Sequence, residues 1–193
     1  MPAPLLQRTE ILERLTETFR HLGYDGASLG DIAAATGLGK SSLYHYFPGG
    51  KQEMAAEVLS HLADQLERDL FTPLGEAGVP ARKLGRMLEV LNAFYDEGRK
   101  ACLLERLAAS AYGSRFRKPL STVFVRWIEA IADLCRDAGL TAAEARRRAE
   151  DAVIRVEGAL VLAAATGDPA PFARTLTSLR TNLLAQQAVS GKR

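Results

Sequence analysis

Residues 28–51 read SLGDIAAATGLGKSSLYHYFPGGK. Ser28, followed three residues later by Asp31, has the pattern of a capping box with Asp in place of the usual Glu or Gln, so a helix starts here. Leu29, Ile32 and Ala33 can face a preceding helix, and the alanines at 33–35 allow close approach. Thr36-Gly37 supplies a turn. A further helix starts near Gly39 or Lys40 and runs to Tyr46, with Leu43 and Phe47, four residues apart, on its inner side. Ser41 and His45 then lie opposite the core, with Ser42 and Tyr44 on the flanks.

Tyr44, His45, Tyr46 and Phe47 are consecutive and point all round a short helix, so they cannot all be buried in an ordinary helical hairpin. At least two face outward, beside Lys40 and Ser41, and exposed rings in that company need a partner. The features fit a DNA duplex. Small side chains at 41 and 42 admit the helix backbone to the major groove, Lys40 can reach a phosphate or a guanine edge, and the hydroxyls at 44 and 46 suit phosphates. Two short helices with this turn and this face have the layout of a helix-turn-helix DNA reader.

Working outward, Leu12, Leu15, Phe19 and Leu22 form an apolar stripe on a first helix that Gly23 ends. C-terminal to the head, no strand-like alternation occurs. Ala55, Leu59, Leu62, Leu66 and Leu70 mark a fourth helix ending near Thr72-Pro73, and 74–80 reads as a loop. A fifth helix covers about 81–97, with Tyr95 on its stripe, and a sixth covers 102–112. A seventh is marked by residues from Leu120 to Leu134, and an eighth runs from a Thr141/Glu144 capping box to about Thr166. A ninth carries Phe172, Leu176, Leu179 and Leu183. The fold class is therefore all-α: residues 1–50 as a helix-turn-helix DNA-binding domain and 51–193 as a helical effector-binding and dimerisation domain.

Composition narrows the function. The chain has 193 residues, 47% hydrophobic, with a net charge of only +2. Residues 1–51 balance Arg8, Arg14, Arg20, Lys40 and Lys51 against Glu10, Glu13, Glu17, Asp25 and Asp31, which argues against bulk electrostatic coating of nucleic acid. Arg146-Arg147-Arg148 sits among Glu144, Glu150 and Asp151 and reads as a solvated, ion-paired face. Cys102 and Cys135 have neither metal-ligand spacing nor a disulfide framework, so no metal or cofactor is expected. His21, His45 and His61 have no metal-spaced partners, and no nucleophile–base constellation points to an enzyme. The first residues hold no apolar signal segment, and the apolar stretch 152–165 is interrupted by Arg155 and Glu157, so a soluble cytoplasmic protein is expected.

The order Gly23-Tyr24, Ser28-Leu29-x-Asp31-Ile32-Ala33, Gly37-Leu38-x-Lys40-x-x-Leu43-Tyr44-x-Tyr46-Phe47, Lys51 resembles the N-terminal domain of TetR-type transcriptional regulators over residues 8 to about 62. That family usually has two residues between the Phe and the Lys. Here there are three, Pro48-Gly49-Gly50, which resembles the LmrA/YxaF branch with its Phe-Pro-Gly-Gly-Lys. Cys102-Leu103-Leu104 and 156–160 (VEGAL) are also similar to that branch.

The resemblance implies a homodimeric regulator, a repressor released from a palindromic operator by a small apolar or aromatic effector. DNA contacts would come from Ser28, Lys40, Ser41, Ser42, Tyr44, His45, Tyr46 and Lys51, the last at the start of the fourth helix near the DNA backbone. The last two helices would pair across a two-fold axis through Ala152, Ala159, Ala163, Leu176, Leu179 and Leu183. An effector pocket would draw on Tyr95, Cys102, Phe124 and Trp127, although the same residues suit an ordinary helical core. The other reading is a DNA-binding regulator without a small-molecule effector, controlled by oxidation at Cys102 or by a protein partner.

Overall fold

The structure is a computed structural model that describes residues 7–185. All regular elements among the described residues are helical. They are α1 (Arg8–Gly26), α2 (Leu29–Thr36), α3 (Lys40–Tyr46), α4 (Gly50–Leu66), a π-helical turn (Glu67–Phe71), α5 (Thr72–Gly75), α6 (Pro80–Phe94), a 3-10 turn (Asp96–Gly98), α7 (Leu103–Ala108), α8 (Gly113–Asp137), α9 (Ala142–Thr166) and α10 (Ala170–Asn182). Two compact units result. One ends at Leu66 and takes in Ala101–Val123; the other comprises Glu67–Lys100 and the chain from Phe124 onward.

In the first unit, α1 packs against α2, α4 and α7, around Ile11, Leu15, Phe19, Ile32, Leu43, Phe47, Met54 and Val58, all buried. Gly23 (φ 71, ψ 169) breaks the helical path near the end of α1. Leu22, expected on the buried stripe, is 40% exposed; it borders a surface groove with Ala34 and Ala35, a volume of about 540 Å³. The capping box is present in both directions: the Asp31 N–H donates to Ser28 Oγ (3.1 Å) and the Ser28 N–H to Asp31 Oδ2 (2.9 Å). Gly37, at φ 71, ends α2 with its N–H on the Ala33 carbonyl.

Other boundaries moved for local reasons. The fourth helix loses α-geometry after Leu66, and the π turn carries the chain into α5 where a loop was expected. Glu67 in that turn takes a two-pronged contact from Arg126 (3.0 and 2.8 Å) and a hydrogen bond from Thr72, and these partners hold its carboxyl below the usual range. The expected sixth helix stops early, at Ala108, and α8 begins at Gly113, taking in Pro119; a proline inside a helix hid that start.

In the second unit, α10 packs along α9. Ala145, Ala149, Ala152, Ala159 and Ala163 line the buried face of α9, and Phe172, Leu176, Leu179 and Leu183 meet the core from the α10 side. Arg148 is not part of a purely solvated face. It donates to Glu144 (2.6 Å) and to the carbonyls of Asn182, Leu183 and Ala185, closing the end of α10. Thr141 caps α9 by accepting the Glu144 N–H, while the Glu144 carboxylate turns to Arg147 and Arg148 instead of completing the box.

These two arginines hold the Glu144 carboxyl down at about 2 against an ordinary 4.5. A depressed folded-state value stabilises the fold above the unfolded value, and that contribution disappears as pH falls from about 4.5 toward 2. Glu144→Gln is therefore expected to lower the melting temperature near pH 6, with the gap to the wild type closing by pH 2. A gap independent of pH would exclude the ion pair as its source.

Candidate nucleic-acid interface

The head presents α3 because Leu43 and the C-cap residue Phe47 are buried beneath it, at 1% and 0% exposure. With those two inside, Lys40, Ser41, Tyr44 and His45 form one continuous exposed face, and Tyr44 is 48% exposed. Ser42 and Tyr46 are half-buried on its flank, with Tyr46 between the rings of His45 (6.0 Å) and Phe47 (6.4 Å). Ser28 is exposed, but its hydroxyl already donates to Asp31 Oδ2 at 2.6 Å, and Asp31 is held acidic by that bond.

The turn after α3 depends on glycine. Gly50 sits at φ 65, with its N–H on the Phe47 carbonyl, and an added Cβ would meet the Tyr44 ring at 3.6 Å. The Gly49 N–H donates to Glu53 Oε2 (2.6 Å), closing the turn into α4.

Most of the head's cations face its own backbone. Arg8 forks onto Glu57 (2.6 and 3.1 Å), lies 5.0 Å from the Phe47 ring and reaches the Tyr46 carbonyl at the end of α3 (3.5 Å). Arg14 pairs with Glu10 and donates to the Thr36 carbonyl at the end of α2 (3.3 Å). Arg20 is buried and reaches the Ala101 carbonyl (3.5 Å). Lys51, expected near the DNA backbone, donates to the carbonyls of Tyr24 (2.8 Å) and Ala27 (2.9 Å), with its Nζ 4.7 Å from the Tyr24 ring centre. Lys40 is exposed and begins the outward face.

A short helix held from below thus displays a Lys-Ser-Tyr-His face to solvent. The family of bacterial regulatory proteins, tetR family, matches residues 11–58, and the C-terminal domain of LmrA/YxaF-like transcriptional regulators matches residues 80–177. The chain belongs to the TetR family, in its LmrA/YxaF-like branch. It is similar to the HTH-type transcriptional regulator LmrA of Bacillus subtilis (strain 168), 24% identical over 170 residues that cover 86% of this chain and 90% of LmrA. Its fold is that of the regulatory protein TetR from Rhodobacter sphaeroides (TM-score 0.77, 23% identity, 91% of this chain and 98% of that one). A cysteine mutant of the TetR-family regulator CifR, solved in complex with 26-bp double-strand operator DNA, shares it too (TM-score 0.72, 22% identity, 94% and 99%).

As a TetR-family member the protein is a DNA-binding transcriptional regulator and not an enzyme. No helix among the described residues is long and apolar enough to cross a membrane. Of the residues expected to line an effector pocket, Cys102 belongs to the first unit and Tyr95, Phe124 and Trp127 to the second. Tyr95 packs edge-on to Phe94 (4.9 Å) and Phe172 (5.8 Å), and Phe124 stacks on Trp127 (6.5 Å). Both cysteines are buried, and burial pushes the Cys135 thiol up to about 11, far from the range of a reactive thiolate.

The six residues expected at a two-fold face, Ala152, Ala159, Ala163, Leu176, Leu179 and Leu183, are all buried within the single chain. Alanines let α9 approach α10 closely, so packing took that stripe for the core. The residues left outside are Ile154 (67% exposed), Val161 (49%) and Leu162 (55%), and the exposed Gly158 lies between them on the same face.

Proposed function

We propose that this TetR-family regulator is a homodimeric repressor of the bacterial cytoplasm, released from a near-palindromic operator when a small apolar or aromatic effector binds its C-terminal helical domain. The observation that carries the operator reading is the exposed Lys40, Ser41, Tyr44 and His45 face of α3, braced by Leu43 and Phe47. Lys40 meets a phosphate or a guanine edge, Ser41 allows close approach, and Tyr44 and His45 donate to phosphates or base edges. Ser42 and Tyr46, on the flank, contribute the edge of the footprint, while Ser28 acts chiefly as the cap of α2. Residues 1–50 read DNA and 51–193 respond.

Selection of genomic fragments by the purified protein tests this directly. The wild type is expected to enrich a palindrome whose half-sites lie roughly 34–36 Å apart. Tyr44→Ala is expected to lose that enrichment while keeping its helicity and oligomeric state. Enrichment retained by Tyr44→Ala would remove that residue from the interface.

Dimerisation is assigned to the exposed face of α9. Ile154, Val161 and Leu162 present branched side chains to water around an open Gly158, and contiguous exposed apolar surface of this kind favours a partner. Val161→Glu is expected to shift sedimentation to a monomer and weaken operator binding. Leu179→Ala, in the core, is expected instead to cost about 2–5 kcal/mol of stability without dissociating the dimer. A dimeric Val161→Glu protein would place the interface elsewhere.

For the effector, Trp127 is the best-supported contact. Its ring is 2% exposed, and its indole N–H has no hydrogen-bond acceptor among the described residues. A buried donor left open costs about 1–3 kcal/mol, so a ligand acceptor at that nitrogen would recover a real penalty. Effector binding then shifts the population toward a form with wrongly spaced heads. Trp127→Phe is expected to raise the effector concentration needed for release by roughly tenfold. Unchanged release would exclude the indole.

A further inference from the structure

We infer that Lys51 is a positioning residue for the recognition helix and makes no phosphate contact of its own. Its Nζ lies 2.8 Å from the Tyr24 carbonyl oxygen and 2.9 Å from that of Ala27, with the Tyr24 ring centre at 4.7 Å. These carbonyls belong to the end of α1, just past the break that Gly23 makes at φ 71. The negative end of a helix dipole and an aromatic face are both favourable surroundings for an ammonium group. The residue that delivers Lys51 there is Gly50, at φ 65, the last of the three residues between Phe47 and the lysine.

The position of this tether gives it its role. Ala27 is fully buried and immediately precedes Ser28, the cap of α2, so anchoring the Ala27 carbonyl fixes where α2 starts. The helix α2 in turn carries α3 across the Gly37 turn. The same α1 turn is held from its other side: the Asp25 carboxylate accepts the Ala111 N–H (2.8 Å), and the Tyr24 ring sits 5.3 Å from Tyr112 and 5.4 Å from Phe116. Beside Lys51, Gln52 accepts from Arg115 (2.9 Å). Lys51 thus ties the start of α4 to the turn that launches the reading helices.

The salt dependence of operator affinity separates positioning from phosphate contact, because each neutralised phosphate contributes about 0.9 to the slope of log K against log salt. Lys51→Met is expected to weaken operator binding roughly tenfold, two lost hydrogen bonds being worth at least that, with the salt slope unchanged. Lys40→Met, in contrast, should lower the slope by about 1.8 in a dimer.

Hydrogen exchange of the free protein gives a readout independent of DNA: the peptide covering residues 24–31 should exchange faster in Lys51→Met than in the wild type. A slope that falls for Lys51→Met as it does for Lys40→Met would overturn the inference. So would unchanged exchange in Lys51→Met. Absence of operator binding by the wild type would count against the operator reading alone, and the exchange comparison would still decide the role of Lys51.

Discussion

The head is built around helix ends. Three helices packed at angles leave carbonyls at their C-termini with no partner inside the helix, and a small domain has little else to cover them. Here a cation from a distant part of the sequence goes to each end: Lys51 to α1, Arg14 to α2 and Arg8 to α3. Each such contact is worth about 0.3–1 kcal/mol, modest alone, but each also fixes the direction in which the next helix leaves. The orientation of α3 depends on all three, because α1 braces α2, α2 leads into α3, and α3 is pinned to α4 through Phe47 and Arg8.

This use of charge has a consequence for DNA reading. Four of the five cations in residues 1–51 are turned toward backbone carbonyls or carboxylates, and Lys40 begins the outward face. A head that spends its charge internally gains little from counterion release, which is the main source of sequence-independent affinity. On the proposed operator reading, recognition then rests on fit and on hydrogen bonds from Ser41, Tyr44 and His45, interactions that reward the right bases more than any duplex.

Much of this architecture was legible because it is local. The Ser28/Asp31 box, the Gly37 turn and the Leu43/Phe47 spacing each lie within a few residues, and each reads the same way in sequence and in space. What could not be read were ties across distance. Nothing in the neighbourhood of Lys51 announces contacts with carbonyls 24 and 27 residues earlier. The start of α8 was obscured by Pro119, and the π turn after Leu66 has no periodicity of its own. The two faces of α9 pose a subtler problem. Both are apolar, and pattern alone cannot say which is inside; close packing against α10 selects the alanines, leaving Ile154, Val161 and Leu162 on the other side.

That selection bears on the proposed dimer. On the proposed operator reading, a head with few outward cations and a seven-residue recognition helix would hold one half-site weakly, and a second head at the right spacing would supply the missing affinity. The surface proposed to join two copies lies on α9, a stiff element twenty-five residues long with a capped start. With its branched side chains outward and its alanines inward, this one helix has a packed face and an exposed apolar one. Internal use of charge in the head and outward hydrophobicity on α9 would then be complementary, pairing supplying what a single head lacks in affinity.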